Sequence, residues 1–224
     1  MPFYREHVYP HLVRVLGNPE PIQKIRQRLL RLAQGEVLEI GVGPGVNFVH
    51  YDPTRVSKVY ALEPNQAMIW QAEEQRRRTQ LHVEFLELPG ERIPLPNSSV
   101  DTVVSTFTLC TIPGAEVMAA IRGVAGVLRP GGRFLFFELG LSPDPKVRRW
   151  QERSELFFKL AFEGLHLTRH IPSLLKDGGF NIEELNEAYL APFPKSASYC
   201  FWGVARPSPD SLTRPTARDT AQLV

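Results

Sequence analysis

The amino-acid sequence predicts an α/β fold built on a doubly wound, mostly parallel sheet with an antiparallel edge strand and helices on both faces. Short apolar runs alternate with helix-length segments from Val37 onward, which is the pattern of parallel strands joined by right-handed crossovers. The run 134–137 is apolar without interruption, which is typical of a strand buried on both faces. The first apolar run ends in three alternating glycines, at positions 41, 43 and 45, so the chain is expected to turn sharply there.

The composition is that of one ordinary globular domain. The chain has 224 residues, of which 43% are hydrophobic and 22% charged, enough to bury a substantial core. Its net charge of +2 does not favour a nucleic-acid-binding surface, which normally shows a strong basic excess. The two cysteines, Cys110 and Cys200, are too few for a disulfide framework and fit a reducing compartment. Charged residues stand where the apolar part of a signal peptide would lie, so we expect a cytoplasmic protein.

Residues 1–34 are predicted to form an N-terminal helical cap. Apolar residues recur at helical spacing over 1–16, and a second helix follows the break at Gly17-Asn18-Pro19 and ends at Gly35. The apolar side of the second helix has Ile22, Ile25, Leu29, Leu30 and Leu32, and its basic side has Lys24, Arg26, Arg28 and Arg31. We interpret the basic side as solvated surface rather than a membrane-binding face.

The central part of the chain predicts five strands and three helices in alternation. The predicted strands are 37–41, 57–62, 81–86, 100–106 and 133–138, and the predicted helices are 45–51, 65–77 and 114–128. The segment Arg129-Pro130-Gly131-Gly132 is predicted to make a tight reversal before the fifth strand.

After the fifth strand, residues 143–180 are predicted to form a helical insertion near the substrate site. It comprises an aromatic-rich helix over 150–162 and a second helix over 168–176. Residues 182–190 and 197–205 are predicted to be an antiparallel pair of strands at the sheet edge. A single domain is therefore expected over 1–206, followed by a disordered tail over 207–224, which is rich in Pro, Ser, Thr and Arg.

The glycine turn has two acidic neighbours that indicate a ligand site. The order Gly41-x-Gly43-x-Gly45 departs from the dinucleotide fingerprint G-x-G-x-x-G, and Glu39 lies inside the preceding strand. The second strand ends at Glu63, where a carboxylate can accept hydrogen bonds from both hydroxyls of a ribose. In an open α/β sheet, such strand ends converge on one crevice where ligands bind.

This pattern resembles the S-adenosylmethionine site of class I methyltransferases, which have a Rossmann-like sheet. The resemblance implies that the glycines admit the methionine moiety and that Glu63 holds the ribose. Residues 90–104 resemble the segment that cups the adenine, but Pro89 stands where that family usually has Asp or Asn, so the adenine contact is assigned to Gly90 or Glu91. The residues expected to bind the cofactor are Glu39, Gly41, Val42, Gly43, Gly45, Asn47, Phe48, Glu63, Pro64, Met68, Gly90, Glu91, Thr106 and Phe107.

The resemblance narrows to the small-molecule thiol methyltransferases of the methyltransferase-like group. It is carried by Asn47-Phe48, 99–104, 108–110, 127–132 and Phe137-Glu138, and it covers roughly residues 25–206. Animal members of that group begin with a hydrophobic anchor that is not apparent in this sequence. We therefore expect no stable membrane insertion and leave peripheral membrane contact open. The acceptor is expected to be a small, apolar thiol, alcohol or amine.

Three residues are candidates for catalysis on the acceptor side, and each has an ordinary structural alternative. Cys110 is either a pocket-wall residue or a buried small hydrophobe, and Glu138 is either a base or a strand-end carboxylate. His166 is suited to accept a proton near neutral pH, or else forms a hydrogen bond at a helix boundary. Arg169 is assigned to a structural ion pair, with an anionic substrate as the alternative partner. Tyr4, His7 and Tyr9 either form part of a lid or pack against the sheet edge. The aromatic set Trp150, Phe157, Phe158 and Phe162 is predicted to roof the pocket, with a place in the core as the alternative.

Three other functions remain open from the sequence. A non-catalytic S-adenosylmethionine-binding protein would keep the fold, since no obvious base is present. A quinone or phospholipid-headgroup methyltransferase would share the same pattern. A dehydrogenase is disfavoured by the order of the glycines, and no metal site is expected.

Overall fold

The computed structural model describes residues 8–16 and 18–209. The helices are α1 (Tyr9–Leu16), α2 (Glu20–Leu30), α3 (Gln66–Arg76), α4 (Val117–Val127), α5 (Pro145–Ala161) and α6 (Ile171–Asp177). The strands are β1 (Gly35–Ile40), β2 (Val56–Leu62), β3 (Val83–Leu86), β4 (Val100–Thr106), β5 (Leu128–Leu139), β6 (Phe180–Tyr189) and β7 (Tyr199–Pro207).

The seven strands form one sheet in the order β3-β2-β1-β4-β5-β7-β6. The five strands from β3 to β5 are parallel, whereas β7 runs antiparallel to both β5 and β6. The predicted doubly wound sheet is thus confirmed, as is the antiparallel pair at its edge. The strand order reverses between β1 and β4, and in such sheets the crevice for ligands opens at that point.

Both faces of the sheet are covered, because alternate side chains of each strand point to opposite sides. Leu38 and Ile40 belong to the cluster that includes the apolar sides of α4 and α6. Val37 belongs to the other cluster, which includes residues of α2 and α3. The sheet is therefore rigid at its centre, and its strand ends can present side chains in fixed positions.

One predicted helix, 45–51, is wrong. The segment contains only a short 3₁₀ turn, Phe48–His50, and its backbone is extended at Tyr51. Gly45 has a left-handed backbone with a φ of 74°, and Asp52, which precedes Pro53, is disfavoured in the helical region. A regular helix is therefore interrupted at both ends of this segment.

Two boundaries also differ from prediction. The chain enters β5 directly at Leu128, and the predicted reversal at Gly131-Gly132 is an irregularity within that strand, with Gly131 at a φ of 82°. At the C-terminus, Pro207 still belongs to β7, so the predicted tail does not begin at that residue. The predicted tail from residue 210 onward lies outside the described residues, as do Tyr4 and His7.

Candidate active site

A cleft of about 1400 Å³ lies at the carboxyl ends of the parallel strands. This exceeds the ~300–1000 Å³ of a typical site for one small molecule, so two ligands side by side can be accommodated. The segments that follow β1, β2 and β4 form one side, named here the sheet wall: Gly41–Pro44, Glu63–Ala67 and Thr106–Thr108. Residues of α1, α5 and the segment after α5 form the other side, named the helical wall: Tyr9, Val13, Lys159, Glu163, Gly164 and His166.

Two glycines of the sheet wall have left-handed backbones for different reasons. A Cβ on Gly41, where φ is 65°, would lie 2.2 Å from Oγ1 of Thr108, whose side chain packs against this turn. A Cβ on Gly43, where φ is 53°, would meet no atom within 4 Å because it would project into open space. Gly41 thus allows the turn to pack against the loop after β4, and Gly43 leaves room on the cleft side.

Glu63 faces the cleft from the end of β2 and is tied to the glycine turn. Its Oε2 accepts a hydrogen bond from the backbone N–H of Gly43 at 3.0 Å, and its Oε1 accepts one from the N–H of Asn65 at 3.0 Å. Only 8% of Glu63 is exposed. Burial raises the pKa of Glu63 to about 7, although these two hydrogen bonds act in the opposite direction. The carboxylate keeps free lone pairs for hydroxyl donors.

Other predicted cofactor-binding residues also lie on the cleft. They are Val42, Pro64, Met68, Gly90, Glu91, Thr106 and Phe107. Phe107 has a φ of 55°, unusual for a residue with a bulky side chain. Its N–H donates to the carbonyl of Phe137, and the two rings lie 4.6 Å apart, so neighbouring contacts hold this backbone in place.

Glu39, Gly45, Asn47 and Phe48 were also predicted to bind the cofactor, but none of them lines the cleft. Glu39 is fully buried, and its carboxylate accepts hydrogen bonds from the Asn47 amide at 2.7 Å and the Tyr51 hydroxyl at 2.7 Å. Burial raises the pKa of Glu39 to about 7, against the lowering effect of these bonds. The structure therefore places this group behind the glycine turn, which it braces.

Cys110 and Glu138 are likewise buried behind the cleft rather than exposed in it. The Glu138 carboxylate accepts hydrogen bonds from the Ser105 hydroxyl and from the backbone N–H groups of Thr108 and Cys110. Burial raises the pKa of Glu138, and it raises the pKa of the Cys110 thiol well above its usual range. This geometry corrects both predictions: Glu138 holds the loop after β4, and Cys110 packs in a small apolar cluster with Leu165 and Leu167.

Among the three catalytic candidates, His166 lines the cleft. Its Nδ1 lies 2.9 Å from Oε1 of Glu155, and the other Glu155 oxygen accepts from the N–H of Leu167. Since a carboxylate only accepts, Nδ1 carries the proton and Nε2 is left as an acceptor. Burial and the nearby charges of Arg169 and Lys159 lower the pKa of His166, so the ring is neutral at pH 7. No role was predicted for Glu155 from the sequence. Its position one helical turn before Lys159 indicated that the two side chains lie on the same side of the helix.

The predicted aromatic roof is wrong. None of Trp150, Phe157, Phe158 and Phe162 lines the cleft. Trp150 and Phe157 are 51% and 64% exposed on the outer side of α5, while Phe158 and Phe162 stack beneath them. The α5 residue that lines the cleft is Lys159. Among the described residues Arg169 has no ion-pair partner, and it donates instead to the carbonyls of Leu109 and Ile112.

Arg26 is a cleft residue that sequence analysis assigned to a solvated surface. Only 3% of it is exposed, and its guanidinium lies 5.5 Å from the centre of the Phe107 ring. Burial lowers the pKa of Arg26 to about 10, against the charge of Glu39. Its helical spacing from Ile22 and Leu29, which are also buried, was the signal that would have placed it on the inner side of α2.

Two further observations concern the described residues as a whole. No helix among them is long and apolar enough to cross a membrane. In the same part of the chain, no cluster of three or more His, Cys, Asp or Glu side chains is arranged to hold a metal ion.

Comparison with known proteins finds relatives among the thiol S-methyltransferases. A family model described as a methyltransferase domain matches residues 38–136. The human thiol S-methyltransferase TMT1B is 30% identical over 189 residues, which cover 77% of this chain and 75% of that protein. The human thiol S-methyltransferase TMT1A is 31% identical over 150 residues, covering 65% of this chain and 59% of that protein. The chain thus spans less than two thirds of the length of TMT1A.

Solved structures show the same architecture. An S-adenosylmethionine-dependent methyltransferase from Methanosarcina mazei superimposes with a TM-score of 0.64 at 21% identity, covering 85% of this chain and 98% of that one. At this identity the similarity establishes the fold and nothing about the acceptor.

Proposed function

The chain belongs to the class I S-adenosylmethionine-dependent methyltransferases, within the group that contains the thiol S-methyltransferases, and we propose that it transfers a methyl group to the sulfur of a small apolar thiol. S-Adenosylmethionine is the family's cofactor, and S-adenosylhomocysteine its product. The acceptor atom is the part of this proposal drawn from the relatives. The residues of the two cleft walls support this proposal, because one wall suits the cofactor and the other suits an acceptor that loses a proton.

The sheet wall suits the cofactor. Glu63 offers carboxylate lone pairs to two ribose hydroxyls, and hydrogen bonds to a charged acceptor are stronger than neutral ones. Gly43 leaves the adjacent space open, so that the methionine moiety can approach the backbone. We assign Arg26 to the methionine carboxylate because its buried guanidinium lines the cleft beside Phe107 of this wall. Gly90 and Glu91 are assigned to the adenine.

The helical wall suits an acceptor that must lose a proton. The cofactor supplies an activated methyl group on a sulfonium, and the protein must position the acceptor in line with it. His166 Nε2 takes the proton of the thiol, Glu155 holds the ring, and Lys159 lies close enough to favour the resulting anion. The S–CH₃ bond forms as the sulfonium C–S bond breaks, and the proton passes from His166 to solvent.

The observation that carries this proposal is the Glu155–His166 pair on the cleft. A neutral imidazole whose Nδ1–H is already bonded has one acceptor nitrogen left for a substrate proton. A protein that only binds S-adenosylmethionine has no need of such a pair.

An acceptor series with one carbon skeleton tests the assignment. The full chain is incubated with methyl-labelled S-adenosylmethionine and benzyl mercaptan, benzyl alcohol or benzylamine, and label in each methylated product is counted. We expect methylation of the thiol alone. Methylation of the alcohol or amine instead would replace the thiol assignment, and no product from any apolar acceptor would favour the non-catalytic alternative.

Calorimetric titration separates cofactor binding from turnover. S-Adenosylhomocysteine is expected to bind with micromolar affinity, and NADH serves as the control for a dinucleotide site. Binding of NADH alone would overturn the cofactor assignment.

A further inference from the structure

The outer side of α5 is an exposed apolar surface. Four large side chains define it: Trp150, Leu156, Phe157 and Leu160, which are 51%, 69%, 64% and 76% exposed. They are half of the eight exposed large hydrophobic residues in the described part of the chain. Scattered single apolar residues are normal on protein surfaces, whereas the largest contiguous apolar patch of a protein is often functional. This group is named the α5 outer face.

Basic residues lie on the same side of the helix. Lys146, Arg149 and Arg153 alternate with the apolar residues at spacings of three and four, so all seven side chains share one side of α5. Glu155 of the same helix turns away from this side and contacts His166. The ion pairs that α5 makes within the described residues involve Glu155, so these three basic residues keep their charge unneutralised.

The opposite side of α5 packs against the rest of the fold and forms hydrogen bonds with it. Gln151 is buried, donates to the carbonyl of Gly140 and accepts from the N–H of Ser142. Phe158 and Phe162 stack on each other and pack against the cluster around Cys110. These contacts fix the rotation of the helix, so its outer face is presented to solvent as a consequence of a well-anchored inner face.

We propose that the α5 outer face docks the protein on the surface of an anionic lipid bilayer. A helix lying in the membrane interface has Trp, Phe and Leu on one side and Lys and Arg on the other. The inner side of α5 packs on the fold, so here both kinds of residue lie together on the outer face. The basic residues complement anionic headgroups, while the apolar ones enter the boundary with the acyl chains. The proposal concerns binding to lipid and does not depend on the methyl acceptor.

A second copy of the chain is a less suitable occupant. The helix has 17 residues and is therefore ~26 Å long, and one side of it is ~10 Å wide. The surface is a few hundred Å², well below the ~800 Å² per partner of a stable protein interface. Three unneutralised cations facing their own copies would also repel one another.

Docking would place the cleft beside the lipid. Lys159, which lines the cleft, is the immediate neighbour of Leu160 in α5, and Glu163 follows within one helical turn. An apolar molecule dissolved in the bilayer would then reach the helical wall without crossing bulk water.

Vesicle co-sedimentation of the full chain tests this proposal. Vesicles of phosphatidylcholine alone are compared with vesicles that also contain phosphatidylserine, at low and high salt. We expect binding to the anionic vesicles, weakened by salt. The double variant Leu156→Ser/Phe157→Ser should abolish binding, and Arg149→Gln/Arg153→Gln should weaken it about fivefold per charge. The matched control Leu185→Ser, which changes an exposed leucine on β6, should bind like the native chain.

Two further readouts keep the test decisive. Each variant is checked by thermal unfolding and by S-adenosylhomocysteine binding, and quenching of tryptophan fluorescence by brominated lipid is compared between the native chain and Trp150→Phe. Quenching that depends on Trp150 supports the proposal even if a double variant fails to fold. Absence of vesicle binding would overturn it, as would a concentration-dependent dimer that Phe157→Ser dissociates.

Discussion

The two walls of the cleft are held by different kinds of contact. The sheet wall is set by buried hydrogen bonds: Glu63 to Gly43 and Asn65, and Glu138 to Thr108 and Cys110. The helical wall consists of partly exposed side chains on α1, on α5 and on the segment after α5, with the Lys159 side chain 39% exposed. Hence the sheet wall is rigid and has one geometry, whereas the helical wall can change its side chains without disturbing the core.

This difference suggests a division of labour. A cofactor that is the same in every member of a family is bound at strand ends, because the sheet fixes the positions of the residues there. An acceptor that differs between members is contacted by side chains of a helix, because exposed helix positions tolerate substitution. Variants confined to one wall should therefore separate methyl transfer from cofactor binding.

The largest expected effect is on catalysis and belongs to the helical wall. His166→Gln should lower the rate of methyl transfer about 10²–10⁴-fold, because no group remains to take the proton of the thiol. Initial rates with saturating benzyl mercaptan measure this, and calorimetry should give an unchanged affinity for S-adenosylhomocysteine. Glu155→Gln, which keeps the shape but changes the charge beside Nδ1, should lower the rate less and shift the pH–rate profile. An equal loss of rate and of cofactor affinity would contradict the separation of the walls.

The next effect concerns stability and compares two glycines of the sheet wall. Gly41→Ala should lower the free energy of unfolding by about 2–5 kcal/mol, since it combines a left-handed alanine with an overlap against Thr108. Gly43→Ala has the same backbone cost without the overlap, so about 1–2 kcal/mol is expected. Urea unfolding measures both. Similar losses in the two variants would mean that packing against Thr108 does not restrict position 41.

Glu63 tests the cofactor side of the sheet wall. Glu63→Ala should weaken binding of S-adenosylhomocysteine by about 1.5–3 kcal/mol, the range for hydrogen bonds to a charged group. The matched control is Glu163→Gln on the helical wall, measured at pH 8, where Glu63 is ionised. It removes a carboxylate whose charge also raises the pKa of Glu63, and at that pH it should leave the affinity within a few-fold of native. Unchanged affinity in a folded Glu63→Ala protein would refute the ribose assignment.

The smallest effect is a pH dependence of cofactor affinity. The pKa of Glu63 is raised to about 7 in the free cleft, so the carboxyl is mostly protonated below that pH and loses acceptor capacity. Affinity for S-adenosylhomocysteine should therefore fall about tenfold from pH 8 to pH 6, with proton release on binding at the lower pH. Calorimetry in buffers of different ionisation enthalpy measures both quantities. The profile should be flat in Glu63→Gln, and an equally steep profile in that variant would assign the titration to another group.

Much of the sheet wall could be predicted from residues close together in sequence. Gly41, Gly43 and Glu63 follow apolar strands directly, and the ends of parallel strands meet at one edge whatever else the chain does. The same logic predicted the antiparallel pair of β6 and β7. Local sequence did not correctly place Glu39 and Asn47, because it does not indicate whether a polar group near a turn faces the ligand or braces the turn from behind.

The sequence by itself determined the sheet, its glycine turn and the acid that closes β2, because each depends on local periodicity and on backbone freedom at single residues. Only the tertiary structure decided which polar side chains are exposed to the cleft. The rotation of α2 buried Arg26, and the packing of Gln151 and Phe158 turned Trp150 and Phe157 outward. Those orientations depend on contacts between residues far apart in the chain, so no local pattern contains them.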